Sequence, residues 1–284
     1  IIAGQATNNY FGYSLAAGDW NADGKTDLAV GAYGYSTNTG RAYIFYNDGS
    51  IPTTAATADV IITGETTNNY FGSAMATGDF NADGRTDLAV GAYGYSTNTG
   101  RAYIFYNDGS TTTTAATADV AITGETTSNY FSASITAGDF NADGKTDLAV
   151  GAYGYSTNTG RAYVFYSQNG QVNTNKSIAG GATGNKFGST LAAGDINADG
   201  RTDLLVSAPN YSTDTGRIYA FYNDGSYSAD TTGADVTITG EGTNQLFGGA
   251  LVTGDWNADG KADIAVGAIG ASGNQGRTYV PWND

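Results

Sequence analysis

Asp19-Trp20-Asn21-Ala22-Asp23-Gly24-Lys25-Thr26-Asp27-Leu28-Ala29-Val30-Gly31-Ala32 joins an acidic loop to a strand-length apolar run. The acidic pattern, Asp-x-Asn-x-Asp-Gly-x-x-Asp, starts again at Asp79, Asp139, Asp195 and Asp255, at intervals of 60, 60, 56 and 60 residues. Five copies at near-constant spacing make a repeat architecture in which every unit carries its own loop. One period runs through the 284 residues, so a single domain is expected over 1–284, with units of about 1–57, 58–117, 118–175, 176–233 and 234–284.

Outward from the loop, four short segments alternate with turn chemistry. In the first unit they are Ile1–Ala3, Ser14–Gly18, Asp27–Ala32 and Arg41–Tyr46. All are strand-length, bounded by Gly, Asn, Asp or Ser, and too short for a helix. The third and fourth are apolar on both alternating faces and must be covered on both sides. The second carries small residues (Ala16-Ala17-Gly18, Ala192-Ala193-Gly194), which suit an inner strand near a narrow axis. Four-stranded sheets packed face to face are propeller blades. The expected fold is therefore all-β, a β-propeller of five four-stranded blades, with Ile1-Ile2-Ala3 closing the last blade as its fourth strand. The short interval places a deletion around Ser167-Gln168-Asn169-Gly170, where a surface loop tolerates it at small entropic cost.

The loops have the chemistry of a hard-cation site. In the first, Asp19, Asn21, Asp23 and Asp27 offer side-chain oxygens, Lys25 offers its backbone carbonyl, and Gly24 permits the sharp turn. The equivalent sets are Asp79, Asn81, Asp83, Arg85 and Asp87; Asp139, Asn141, Asp143, Lys145 and Asp147; Asp195, Asn197, Asp199, Arg201 and Asp203; and Asp255, Asn257, Asp259, Lys261 and Asp263. Oxygen donors in a flexible loop favour Ca²⁺ over Mg²⁺, about five ions in all, one per repeat. An EF-hand would need Glu at position twelve and flanking helices. This chain has valine there (Val30, Val90, Val150, Val206, Val266) and strands on both sides. Asp-Gly is also an ordinary hairpin turn, but three carboxylates in nine residues repel one another without a counter-ion.

Charge and composition narrow the function. Net charge is −15, from 27 acidic and 12 basic residues, and five divalent ions would offset ten of those charges. There is no basic stripe, which argues against nucleic acid and anionic membranes. No apolar run approaches the ~20 residues that span a bilayer. With no Cys and no His, thiol chemistry and Ser-His-Asp catalysis are excluded. The three Glu (Glu65, Glu125, Glu241) share one repeat position, a poor arrangement for an acid and a base that need different environments. No enzymatic activity is expected.

Phe11-Gly12, Phe71-Gly72, Phe187-Gly188 and Phe247-Gly248 precede the loops, with Phe131-Ser132 as the variant. Gly31-Ala32-Tyr33 follows the loop, and then Gly40-Arg41-Ala42-Tyr43-Ile44-Phe45. This order resembles the FG-GAP repeats of the integrin α-subunit propeller. The resemblance implies calcium loops on one face, and a protein or glycan ligand on the opposite face, met by loops such as Asn8–Tyr10 and Tyr33–Asn38. Candidate contacts there are Tyr10, Tyr33, Tyr35, Tyr70, Tyr93, Tyr95, Tyr130, Tyr153 and Tyr155, since Tyr with Asn, Ser and Gly forms adaptable contact surfaces. The same rings could equally fill space between blades. The expected role is an extracellular or cell-surface adhesion module. The alternatives are a calcium-stabilised lectin and a duplicated or engineered scaffold without a ligand, the latter suggested by the identity of residues 26–50 with 86–110.

Overall fold

The computed structural model describes residues 1–50, 52–109, 112–168 and 171–280. Each sheet is antiparallel with its strands neighbouring one another in chain order, and in the first four the last strand comes from the segment that opens the next repeat. The first contains β1 (Leu15–Gly18), β2 (Asp27–Ala32), β3 (Arg41–Phe45) and β4 (Val60–Thr63). The second contains β5 (Phe71–Gly78), β6 (Asp87–Ala92), β7 (Arg101–Phe105) and β8 (Val120–Thr123). The third contains β9 (Phe131–Gly138), β10 (Asp147–Ala152), β11 (Arg161–Gln168) and β12 (Gln171–Ala179). β13 (Leu191–Gly194), β14 (Asp203–Ala208), β15 (Arg217–Phe221) and β16 (Val236–Thr239) make the fourth. β17 (Phe247–Gly254), β18 (Asp263–Ala268) and β19 (Arg277–Tyr279) make the fifth. The protein is a five-bladed β-propeller.

The double-sided apolar segments are buried as expected: every residue of β6, β10 and β14 is buried. The acidic loop joins the first two strands of a sheet at one end. The loop holding Tyr33 or its equivalent joins the second and third strands at the other end. The Phe of each Phe-Gly pair anchors its own blade. Phe71 is fully buried and meets Tyr103 and Phe105 edge-on, with centroids 5.5 and 6.2 Å away. Gly72, at φ +84°, bulges the start of β5. The variant Ser132 takes the same left-handed conformation (φ 69°). Its hydroxyl donates to the Arg101 carbonyl at 2.8 Å and accepts from the Ala92 N–H at 3.1 Å.

The chain packs as two compact units, residues 1–135 with 168–171, and residues 136–167 with 172–284. In the first, Trp20, Ile44, Ile62, Phe71, Met75, Leu88, Tyr103 and Phe105 form the core between the first two sheets. In the second, Phe140, Ile178, Phe187, Leu204, Tyr219 and Phe221 do the same for the third and fourth sheets. The shortened third repeat absorbs its deletion by extending strands: β11 runs on to Gln168 and β12 starts at Gln171. Of the residues placed at the deletion, Asn169 and Gly170 lie outside those described.

Among the described residues the fifth sheet has three strands, β17 to β19. Ala3 bridges Thr54 in parallel, as Thr63 bridges Thr114 and Ala179 bridges Asp230. Thr63 makes its bridge while also pairing with Arg41 at the end of the ladder between β3 and β4, so the bridge at Ala3 is the one that the end of a fourth strand makes.

Candidate cation loops and tyrosine face

Each acidic loop is a nest of side-chain-to-backbone hydrogen bonds. In the second, the Asp83 N–H donates to both Asp79 Oδ1 and Asn81 Oδ1 at 3.0 Å, and the Gly84 N–H donates to Asp79 Oδ2 at 2.8 Å. The Arg85 N–H donates to Asp83 Oδ1 at 2.9 Å. The other four loops repeat this pattern, for example Asp143 on Asp139 and Asn141, and Asp259 on Asp255 and Asn257. Oxygens from positions one and three thus converge on a single amide. Position nine differs. Asp27, Asp87, Asp147, Asp203 and Asp263 are buried, and each accepts from the amide of position two. In the first four repeats the other oxygen accepts from a residue twenty positions on, as in Asn107 N to Asp87 Oδ1 at 2.8 Å.

The electrostatics follow from that burial. Burial, opposed by the two amide bonds and reinforced by Asp83 and Asp79, pushes the Asp87 carboxyl up to about 6. Burial with Asp143 and Asp139 beside it pushes Asp147 up to about 7. Burial also raises Asp203. Asp23, at the surface, is lowered, chiefly by the Lys25 amide it accepts from. A hard divalent ion suits this donor set in kind: all oxygen, converging in a turn whose Gly24 sits at φ +82°. Among the described residues no three acidic groups stand together as an ion cage; their oxygens accept from backbone amides.

At the opposite strand ends of the first unit, tyrosines form a continuous ladder. Tyr13 meets Tyr33 edge-on at 4.5 Å, and Tyr10 stacks on Tyr33 at 4.8 Å. Tyr33 leads to Tyr70 at 5.9 Å, Tyr70 stacks on Tyr93 at 4.8 Å, and Tyr93 leads to Tyr130 at 6.2 Å. Tyr10 and Tyr13 are 54% and 60% exposed, while Tyr33, Tyr70, Tyr93 and Tyr130 are half-buried. Burial, with the neighbouring rings, raises the Tyr33 hydroxyl. Tyr10, Tyr70 and Tyr130 hold left-handed backbone at φ 53°, 56° and 52°, costly for a bulky residue. The next loop is a single helical turn, Tyr35–Asn38, in which Ser36, Thr37 and Asn38 also have positive φ.

Tyr35, Tyr95 and Tyr155 are set apart from the ladder by arginine. The guanidinium carbons of Arg41, Arg101 and Arg161 lie 3.6 to 3.7 Å above their ring centres. Arg101 also donates to Thr123 Oγ1 and Glu65 Oε1, at 2.8 and 3.2 Å, and the Tyr103 hydroxyl donates to the same Glu65 oxygen at 3.0 Å. Gln5 takes the Glu65 place in the first repeat, accepting from Arg41 and Tyr43. Glu65 and Glu241 are therefore engaged by arginine and tyrosine. Tyr153, like Tyr155, belongs to the second unit.

Sequence reasoning missed two features. Tyr13 joins the ladder at Tyr33 but occurs in the first repeat only, so no periodicity marks it. Asn47, Asn107 and Asn223 follow position nine by twenty residues, a recurrence that could have been read.

Five propeller blades, each with an acidic β-hairpin, define an acidic-hairpin class of repeat protein. A family model described as the FG-GAP repeat matches residues 11–45, 71–105, 131–165, 187–221 and 247–280. The chain belongs to this family. It is 30% identical to integrin alpha-5 of Xenopus laevis over 237 residues, 75% of this chain and 21% of that protein. It is 37% identical to phosphatidylinositol-glycan-specific phospholipase D of Bos taurus over 177 residues, 56% of this chain and 21% of that protein. With the Homo sapiens phospholipase of the same name it shares 28% identity over 86% of this chain and 33% of that protein. The chain thus spans a third or less of these relatives. Among solved structures, a Dos1 propeller overlays 94% of the chain and 54% of its own, with a TM-score of 0.48 at 14% identity.

Proposed function

We propose that this chain is a non-catalytic, extracellular or cell-surface binding module. Ca²⁺ in the five acidic hairpins stabilises it, and it takes a protein ligand on its tyrosine ladder. The carrying observation is the ladder itself: six rings in contact, Tyr10 and Tyr13 both meeting Tyr33, two of them more than half exposed, at the strand ends opposite the acidic loops. Large, rigid, amphipathic rings give contact area at low entropic cost. Left-handed backbone at three of the six is strain of the kind that clusters at ligand clamps. The ions would be held by side-chain oxygens of positions one, three and five, the carbonyl of position seven, and position nine, whose carboxylate also ties the hairpin together. The integrin relative supports adhesion; the phospholipase relatives share the repeats, and the glutamates here are engaged as arginine partners.

A glycan is the second reading. Asn38 Nδ2 lies 3.3 Å from Asn68 Oδ1 and 3.4 Å from the Tyr70 hydroxyl, so amides sit beside rings, a pairing that suits pyranose faces and hydroxyls. The deciding experiment is solid-phase binding of the intact chain to a panel of extracellular-matrix proteins and to a glycan array, in calcium and in chelator. Tyr10→Ala with Tyr70→Ala should abolish capture by a matrix protein while circular dichroism stays unchanged. Capture that survives both substitutions refutes the ladder as the contact surface, and capture on glycans alone replaces the protein reading with the lectin one.

A further inference from the structure

Asn107 engages its N–H, its carbonyl and its side-chain Nδ2. Its N–H donates to Asp87 Oδ1 at 2.8 Å, its carbonyl accepts from Arg85 Nη1 at 3.1 Å, and its side-chain Nδ2 donates to the Trp20 carbonyl at 2.8 Å. The first two partners belong to the second acidic loop; Trp20 is position two of the first. The Trp20 N–H in turn donates to Asp27 Oδ2, so position nine of one loop connects to position nine of the next through one asparagine and one backbone residue.

The second unit repeats the arrangement independently. Asn223 is 2% exposed. Its N–H donates to Asp203 Oδ1 at 2.8 Å, its carbonyl accepts from Arg201 Nη1 at 3.0 Å, and its Nδ2 donates to the Asp139 carbonyl at 3.0 Å. That carbonyl shares a peptide group with the Phe140 N–H, which donates to Asp147 Oδ2 at 3.0 Å. In the third repeat the position holds Ser167. Its N–H keeps the bond to Asp147, but its hydroxyl turns to the Thr146 carbonyl of its own repeat at 2.6 Å.

Resting on the cation reading above, we infer that the loops load in pairs: first with second through Asn107, third with fourth through Asn223. Fixing one loop orders the position-nine carboxylate and, through the asparagine, the backbone of its neighbour. The second ion then meets a loop already partly ordered, which is positive coupling. Hydrogen bonds in series polarise one another and transmit that ordering. Asn107 and Asn223 are positioning residues: they act on the loops through backbone groups and contribute no cation ligand.

Trp20 makes the inference testable, because it lies in the first loop and sensitises terbium, a calcium surrogate, bound there. In the full chain carrying Trp256→Phe and Trp282→Phe, terbium luminescence reads the first loop. Asp83→Asn cripples the second loop and should weaken terbium at the first about five-fold, the low end of measured couplings. Adding Asn107→Ser, which installs the residue type of the third repeat, should cut that dependence to less than two-fold with the far-ultraviolet spectrum unchanged. An equal effect of Asp83→Asn with and without Asn107→Ser overturns the coupling while leaving the loops standing. Absence of terbium emission that calcium can displace in every variant overturns the loops and the coupling together. The same cycle with Trp20→Phe and Phe140→Trp, then Asp199→Asn and Asn223→Ser, tests the second pair should Asn107→Ser fail to fold.

Discussion

At the scale of single residues, the acidic hairpin divides its labour. Asp83 is exposed and accepts one backbone amide together with the Asn81 side-chain amide, whereas Asp87 is buried and holds two backbone amides from different segments. An Asp87→Asn side chain has one acceptor oxygen where two are needed and turns an NH₂ group toward an N–H. Leaving a buried donor unsatisfied costs about 1–3 kcal/mol, so this variant should lose about that much stability in urea even with chelator present. Asp83→Asn should be near neutral in chelator and lose only the gain from calcium. Equal losses for both in chelator would contradict this division. Gly40 presents another single-residue constraint. It sits at φ +84°, and an added Cβ would lie 2.0 Å from the Phe71 carbonyl oxygen, in backbone that cannot move aside. The left-handed penalty alone is about 1–2 kcal/mol. Gly40→Ala should cost about 3 kcal/mol with the clash included, read as a lower urea midpoint at unchanged slope.

Elements show which readings the sequence could support. Strand identity and number were legible because apolar runs on both faces, turn residues and the sixty-residue period agree. The acidic loops were legible as tight turns between strands, because Asp-Gly and Asn at fixed offsets are turn chemistry. The fate of Tyr35, Tyr95 and Tyr155 was not, because nothing in Tyr-Gly-Tyr says that an arginine six residues on will fold back over the second ring. The arginine cluster makes a sharp prediction. Arg101 combines a stacked ring, a threonine and a carboxylate in one planar fork, which lysine cannot reproduce. Arg101→Lys should cost about 1–2 kcal/mol. Glu65→Gln should cost under about 0.5 kcal/mol, since Gln5 makes the same two bonds in the first repeat and the pair is partly exposed. Chemical denaturation of the two variants side by side checks the ordering; a larger loss for Glu65→Gln would mean the charge itself matters.

For the whole molecule the question is how five similar sheets come to melt. Within each compact unit, blades bury their apolar strands against a neighbouring sheet, so stability accrues from interfaces as it does in other repeat proteins. Packing nonetheless separates two such units, with the division inside β9. We propose that residues 1–284 act as one domain once calcium is bound, since ions that bind only the folded chain stabilise every repeat at once. At ten times the dissociation constant each loop contributes about 1.4 kcal/mol. Five loops, at about 2 °C per kcal/mol for a chain of this size, should raise the melting temperature by more than about 10 °C. Scanning calorimetry should therefore show a single transition in millimolar calcium, moving down by that amount in chelator. Two resolved transitions in calcium would make the two compact units independent domains, and an unmoved transition in chelator would remove the ions from the energetics of the fold.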